Sequence, residues 1–293
     1  MTPRITLENV AGEQVHVVGD GPAGGPPVLL SSGLGGAWFD WLPTVGLLAE
    51  RHRVLNFDRP GLGLSPLGGA APSLRREVRI LAGLAEIAAE RAGRPGTPVT
   101  VVAHSMAGFH AEALARLHPE LVRALVLVDP SCEPDPHAPV RLAGLLDPAA
   151  KGLGAALGFT RLSKLVGPLG RRLVMRHTSD RDEPVPDEVV RSVYGRGTVL
   201  GAVLSEQFAY GEMAVDLVRL RERRPFPAIP LVVLTALADA GRSAEARTRW
   251  REGHRRLAEM SPHGRHVVLA DARHMLQLDR PEVVADAVAE VAG

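Results

Sequence analysis

Six short runs of consecutive aliphatic and β-branched residues recur along the chain, and most are separated by stretches with helical periodicity. They are Val28–Ser32, Arg53–Phe57, Val99–Ala103, Ala124–Val128, Ile229–Ala236 and Arg265–Ala270. A strand without polar alternation is typical of a parallel sheet whose two faces are both covered by helices. The pattern therefore predicts a doubly wound α/β fold.

The ends of this pattern define a predicted domain organisation. The opening residues alternate apolar and polar side chains on both sides of "AGE", which predicts an N-terminal β-hairpin and brings the sheet to eight mostly parallel strands. Strand signals disappear between Ser131 and about Arg224, where prolines interrupt helical stretches. We therefore predict a core formed by residues 1–130 and 226–293, with a helical cap, residues 131–225, inserted after the sixth strand.

Composition narrows the classes of function. The 293 residues are 45% hydrophobic and 23% charged with a formal net charge of +1, which gives no electrostatic reason to expect nucleic acid or a membrane as partner. Cys132 is the single cysteine, so no intrachain disulfide can form. The N-terminus lacks the basic and then apolar pattern of a signal peptide, and we expect a soluble, cytoplasmic protein without a membrane span.

The segment "VVAHSMAGFHA", residues 101–111, places Ser105 where an apolar strand turns into a helix. A sharp turn of this kind exposes the side chain at its apex and requires small residues two positions before and after it. Ala103 and Ala107 meet that requirement. Since the carboxyl ends of parallel strands are where ligands bind in open sheets, Ser105 is a candidate nucleophile.

Five segments in the same order carry a resemblance to α/β-hydrolases along nearly the whole chain. They are "SSGLGGAWFDWLP", "FDRPGLGLS", "AHSMAG", "LVLVDPS" and "DARHMLQLDRPEVV". The usual GxSxG string of that family is AxSxA here, which keeps the small residues that the turn needs.

The resemblance assigns the roles of a catalytic triad. Ser105 is the expected nucleophile, and His274, after the last strand, is the base that a serine hydroxyl requires. Two carboxylates compete to orient His274. We favour Asp239, which follows the seventh strand at the commoner family position, over Asp129, which ends the sixth strand.

The resemblance also places the oxyanion hole and nearby contacts. The backbone amides of Leu34 and Met106 are the expected oxyanion donors. Gly33 is expected to let the backbone approach the substrate, and Trp38 is a candidate pocket residue that could equally belong to the core. His104 is a candidate substrate contact, although the geometry of the turn favours a packing role for it.

These features predict a cofactor-independent serine hydrolase without a metal site. The expected substrate is a small or medium hydrophobic carboxylic ester, lactone or thioester. Two alternatives stay open: other chemistry on the same triad, such as C–C hydrolysis, perhydrolysis, lyase or cyclase reactions, and a ligand-binding role with little turnover. Lys151 and Lys164 are the only lysines available for a cyanohydrin lyase, and the oligomeric state stays open.

Overall fold

The computed structural model describes residues 6–133, 136, 141–238 and 243–292, and its central element is an eight-stranded sheet. The strands are β1 Thr6–Val10, β2 Glu13–Asp20, β3 Pro27–Ser31, β4 Arg53–Phe57, β5 Val99–His104, β6 Val122–Val128, β7 Leu231–Ala236 and β8 Gly264–Leu269. Their order is β1-β2-β4-β3-β5-β6-β7-β8. β2 pairs antiparallel with β1 and β4, and the other pairings are parallel. The predicted fold class is confirmed.

Helices cover both faces of the sheet. Those of the core are α1 Leu42–Leu48, α2 Leu74–Arg91, α3 Ala107–Leu117, α8 Ala244–Ala258, α9 Leu276–Asp279 and α10 Pro281–Ala292. In β5, Val101 packs in the apolar cluster that contains side chains of α2 and α3, whereas Val102 packs in the cluster that contains side chains of α1 and α10. Burial on both faces is why the sequence of this strand shows no polar alternation.

Four helices follow one another between β6 and β7, and we call residues 143–223 the insertion. They are α4 Ala143–Phe159, α5 Ser163–Thr178, α6 Asp187–Tyr194 and α7 Gly197–Arg223. α4 and α7 approach closely through glycines, since a Cβ on Gly154 would lie 2.3 Å from the carbonyl oxygen of Gly197. The insertion falls within the stretch predicted to be helical, while its status as a separate domain stays a prediction.

The first helix of the core has a sharply defined start. Trp38–Trp41 form a 3-10 turn, and α1 begins directly after it at Leu42. Pro43 explains the boundary, because a proline lacks the N–H that an inner helical turn requires and is tolerated only in the first turn. Among the described helices, none has the length and apolarity needed to cross a bilayer.

Candidate active site

Ser105 lies at a strained turn between β5 and α3. Its φ angle is +53°, in the left-handed region that a residue other than glycine occupies at a cost of about 1–3 kcal/mol. Three backbone hydrogen bonds hold this conformation. The N–H of Ser105 donates to the carbonyl of Val128 at 3.1 Å, and its carbonyl accepts from Gly108 at 2.9 Å and from Ser131 at 3.0 Å. The turn is therefore fixed to the end of the neighbouring strand β6.

Small residues allow three chain segments to meet at this turn. Ala103 and Ala107 are fully buried, and a Cβ on Gly108 would lie 2.9 Å from the Cβ of Pro130. On the other side, a Cβ on Gly33 would lie 2.9 Å from the Cβ of Ser105. The loop after β3 thus contacts the turn so closely that only glycine fits at position 33 without displacement.

His274 and Asp129 form a hydrogen-bonded pair beside this turn. His274 Nδ1 lies 2.6 Å from Asp129 Oδ2, and Asp129 is fully buried at the end of β6. Of the two candidate acids, the structure pairs His274 with Asp129, the alternative to Asp239, since Asp129 occupies the Nδ1 side of the ring. Asp239, which was favoured from the sequence, lies outside the described residues, and its role stays a prediction. Asp129 lies close to Ser105 because it directly follows Val128, whose carbonyl accepts a hydrogen bond from the N–H of Ser105.

The Asp129 carboxylate accepts further hydrogen bonds from the core. Its Oδ1 accepts from the backbone N–H of Ala236 and from Trp250 Nε1, each at 2.9 Å. Burial alone would raise the pKa of Asp129, but the hydrogen bond and charge of His274 outweigh burial and hold the pKa below its ordinary value. Asp129 is therefore an ionised, fixed acceptor. Sequence reasoning missed Trp250, because nothing local in α8 shows that its indole faces β6.

His104 supports His274 from the other side. Its Nε2 lies 3.0 Å from the backbone carbonyl of His274, and the centroids of the two rings are 4.6 Å apart. Because a carbonyl oxygen can only accept, Nε2 carries the proton. Burial first, and then the proximity of His274, lowers the pKa of His104 to about 3, so the ring is neutral above that pH. These contacts favour the packing role, and a contact of His104 with substrate stays a prediction.

A buried ion pair holds the loop after β3, and sequence reasoning did not find it. Arg59 Nε donates to Glu206 Oε1 at 2.6 Å. Arg59 Nη2 donates to Glu206 Oε2 at 2.9 Å and to the carbonyl of Gly33 at 2.7 Å. Arg59 also donates to the carbonyl of Ser32. Burial alone would lower the pKa of Arg59, but the Glu206 carboxylate raises it above its ordinary value. Since Glu206 belongs to α7, the pair connects the insertion to the core.

This pair fixes the two peptide groups on either side of Leu34. The carbonyl of Gly33 and the N–H of Leu34 belong to one planar peptide, so a hydrogen bond to the carbonyl also sets the direction of the N–H. The next peptide is held through the N–H of Gly35, which donates to Glu206 Oε2 at 2.9 Å. Among the hydrogen bonds of the described residues, none is donated by the amides of Leu34 or Met106. Both therefore suit the predicted oxyanion role.

Trp38 is held mainly by core contacts. Its backbone N–H donates to Asp58 Oδ1 at 2.7 Å, and its ring makes edge contacts with Phe39 and His16. The ring is only half-buried, although its Nε1 atom is buried without a hydrogen-bond partner. The position is consistent with the core alternative, and contact with a substrate stays a prediction.

Comparison with known proteins identifies the class of protein that this fold and site define. The model of the α/β hydrolase family matches residues 28–287, and the chain belongs to that family. The resemblance identified from the five segments is thereby confirmed.

Individual curated relatives match only part of the chain. The chain is 37% identical over 131 residues to a putative carbamate hydrolase RutD of Variovorax paradoxus, covering 42% of this chain and 45% of the relative. A protein of the same name from Caulobacter segnis is 36% identical over 133 residues, covering 45% and 48%. The matches thus span about half the length of these curated relatives.

Solved structures agree in fold. An esterase from Thermogutta terrifontis superimposes with a TM-score of 0.67 at 22% identity, covering 98% of this chain and 97% of the esterase. An enol-lactonase from Burkholderia xenovorans LB400 gives a TM-score of 0.67 at 21% identity, covering 98% and 99%.

The choice between the two candidate acids can be tested directly. We expect Asp129→Asn to lower kcat by about 10⁴-fold, because an amide at this position favours the wrong tautomer of His274. Asp239→Asn is the matched control and is expected to keep wild-type kcat. Steady-state kinetics on any turned-over ester would measure both. The opposite ranking of the two variants would return the role to Asp239.

The role of the buried pair has its own test. Arg59→Lys keeps the positive charge but cannot bind two carbonyls and a carboxylate at once, because an ammonium lacks the planar fork of the guanidinium. We expect kcat to fall by about tenfold to a hundredfold with a smaller change in KM, since an oxyanion hole acts on the transition state. Arg91→Lys, which alters the ion pair with Glu8 elsewhere, serves as the control. Equal kinetics for the two variants would remove this role from Arg59.

Proposed function

We propose that this protein is a cofactor-independent serine hydrolase that cleaves a small or medium hydrophobic carboxylic ester, lactone or thioester through an acyl-enzyme on Ser105. The observation that carries the proposal is the 2.6 Å pairing of His274 Nδ1 with the buried Asp129, beside a serine held at positive φ. Because Nδ1 is engaged by the carboxylate, Nε2 is the ring nitrogen that serves as the base.

In the first half of the proposed reaction, Ser105 Oγ attacks the acyl carbon while its proton passes to His274 Nε2. The carbonyl oxygen becomes an oxyanion that accepts hydrogen bonds from the amides of Leu34 and Met106. Asp129 stabilises the imidazolium without taking a proton. Collapse of the intermediate breaks the bond to the leaving group, which takes the proton from His274.

In the second half, water attacks the acyl-enzyme. His274 accepts a proton from that water and later returns it to Ser105 Oγ, which restores the free enzyme and releases the carboxylic acid. The same two amides hold the second oxyanion. No step needs an oxidant, a reductant or a second substrate besides water.

We further propose that the insertion acts as a cap over this site. Support comes from two of its side chains that reach the loop after β3. Glu206 of α7 binds the N–H of Gly35, and the hydroxyl of Tyr194 of α6 donates to the carbonyl of Gly35 at 3.0 Å. A cap of this kind would exclude water from the acyl pocket and select apolar substrates.

Carbamate hydrolysis is a second candidate, favoured by the names of the curated relatives. A carbamate carbonyl would be attacked by the same serine and its oxyanion held by the same amides. The two substrates differ in the group attached to the carbonyl carbon. In a carbamate this group is attached through nitrogen, whereas in a carboxylic ester it is attached through carbon. Activity on carbamates and on esters of matched leaving group would separate the two candidates.

One of the alternative reactions finds little support in the positions of the lysines. Lys151 Nζ is engaged by Asp147 Oδ2 at 2.7 Å and by the carbonyl of Gly68 at 3.0 Å, and Lys164 is exposed on α5. Neither arrangement favours a cation at the reacting atoms, as a cyanohydrin lyase would need.

The proposal is tested by hydrolysis of p-nitrophenyl esters of increasing acyl length by the wild type and by Ser105→Ala. We expect an optimum at a short or medium chain, with a kcat loss of at least about 10³-fold in the variant, because removal of a triad member leaves only binding and the oxyanion hole. Circular dichroism would show that the variant is folded. Ester turnover that survives in Ser105→Ala would refute the proposal, and turnover restricted to carbamates would favour the second candidate.

A further inference from the structure

The outward face of helices α4 and α5 carries an unusual set of exposed apolar side chains. Phe159 is 92% exposed, Leu145 75% and Leu165 69%, whereas a soluble protein buries most side chains of this kind. Further exposed members of the set are Leu153, Leu162, Val166, Leu169, Leu173 and Val174. We call this set the apolar face.

The packing of the two helices fixes which side faces outward. α4 buries Ala143, Asp147, Ala150 and Gly154, which recur at helical spacing on the side that packs on α7. α5 is similarly fixed, since a Cβ on Gly167 would lie 1.8 Å from the carbonyl oxygen of Tyr194. A rotation that buried the apolar face would break these close backbone contacts. The exposure is therefore a property of the fold.

The charges within this segment are almost all positive. Asp147 is the only acidic residue from 141 to 178, and it is buried and paired with Lys151. Among the described residues, no acidic partner is found for Arg161, Lys164 or Arg176, all of which are exposed. Leu and Phe side chains beside exposed basic residues are the composition of helices that lie in the interface of anionic bilayers.

A second copy of the chain fits this face less well. A twofold contact joins the same patch on both copies, so it needs charges of both signs within the patch to be complementary. The residues beside the apolar face on α4 and α5 include exposed basic side chains but no exposed acidic ones. A surface of phospholipids with anionic headgroups supplies the missing negative charge and an apolar layer at the same time.

We propose that the apolar face docks this protein onto bilayers that contain anionic phospholipids, with α4 and α5 lying in the plane of the interface. Apolar side chains such as Leu153, Phe159 and Leu165 enter the acyl boundary, while Arg161 and Lys164 contact the headgroups. The inference departs from the expectation of no membrane partner, which was based on the charge of the whole chain. It is independent of the proposed hydrolase activity.

The test is flotation of the full chain with vesicles of phosphatidylcholine alone and of phosphatidylcholine mixed with phosphatidylglycerol. We expect binding to the mixed vesicles only, with loss of binding at high salt. The double variant Arg161→Asn and Lys164→Gln should lower the partition coefficient about twenty-five-fold, at about fivefold for each basic residue. Asparagine is chosen at 161 because Arg161 has a φ of +62°, which asparagine tolerates.

Substitutions of exposed leucines distinguish insertion of the apolar face into the bilayer from a general electrostatic attraction to the membrane surface. Leu153→Glu and Leu165→Glu should each lower the partition coefficient by about tenfold or more. Leu47→Glu, at an exposed leucine of α1 in the core, is the matched control and should bind as the wild type does. Hydrolysis of a soluble ester should be unchanged in all four variants.

Three outcomes would overturn the proposal. The first is absence of flotation, or equal flotation with neutral vesicles. The second is an equal loss in Leu47→Glu and Leu165→Glu. The third is a dimer detected by light scattering that Leu165→Glu dissociates while the wild type fails to bind vesicles, which would assign the apolar face to a second copy of the chain.

Discussion

The hydrogen bond between His274 and Asp129 is the interaction on which the candidate site depends, because it joins the segment after β8 to the end of β6, beside the turn at Ser105. Asp129 directly follows β6, Ser105 directly follows β5, and His274 comes after β8. Asp129 and Ser105 both have positive φ angles, so two neighbouring strands leave the sheet through strained turns. Strain of this kind persists only where the surroundings fix it, and here the fixing bonds run between the two turns themselves.

The second level of organisation links the insertion to the core through charge. Arg59 and Glu206 are both nearly inaccessible to water, and together they bind the peptides on either side of Leu34. Leaving one member of such a pair alone in the interior would cost about 3–5 kcal/mol. The position of α7 and the geometry of the loop after β3 are therefore coupled. A change in the insertion can alter the site without touching Ser105 or His274.

The fold could be read from the sequence because its signals are local. Val99–Ala103 reads as a strand buried on both faces, and Ala103 and Ala107 meet the steric demands of the turn at Ser105 without any tertiary information. The choice of acid could not be made in that way. Asp129 and Asp239 both follow strands, and the one that meets His274 depends on the direction in which each turn leaves the sheet. The contacts of Trp250 and Glu206 were equally hidden, since helical periodicity says which face is buried but not what lies opposite.

The apolar face of the insertion could not be predicted from the composition of the whole chain either. A net charge of +1 describes the whole chain, but the segment from 141 to 178 holds a single acidic residue among several basic ones. Once the structure shows which side of α4 and α5 packs on the other helices, this local imbalance coincides with exposed leucines and phenylalanine. The combination of exposed basic and exposed apolar side chains on one surface is a property of the folded chain.

Activation of Ser105 by His274 and Asp129 can be tested by covalent labelling, which needs no knowledge of the substrate. The protein would be treated with a fluorophosphonate, which reacts with an activated serine, and the site and rate of modification followed by peptide mass spectrometry. We expect one adduct on Ser105, formed rapidly in the wild type and far more slowly in Asp129→Asn. Modification of another residue, or an undiminished rate at Ser105 in that variant, would contradict it.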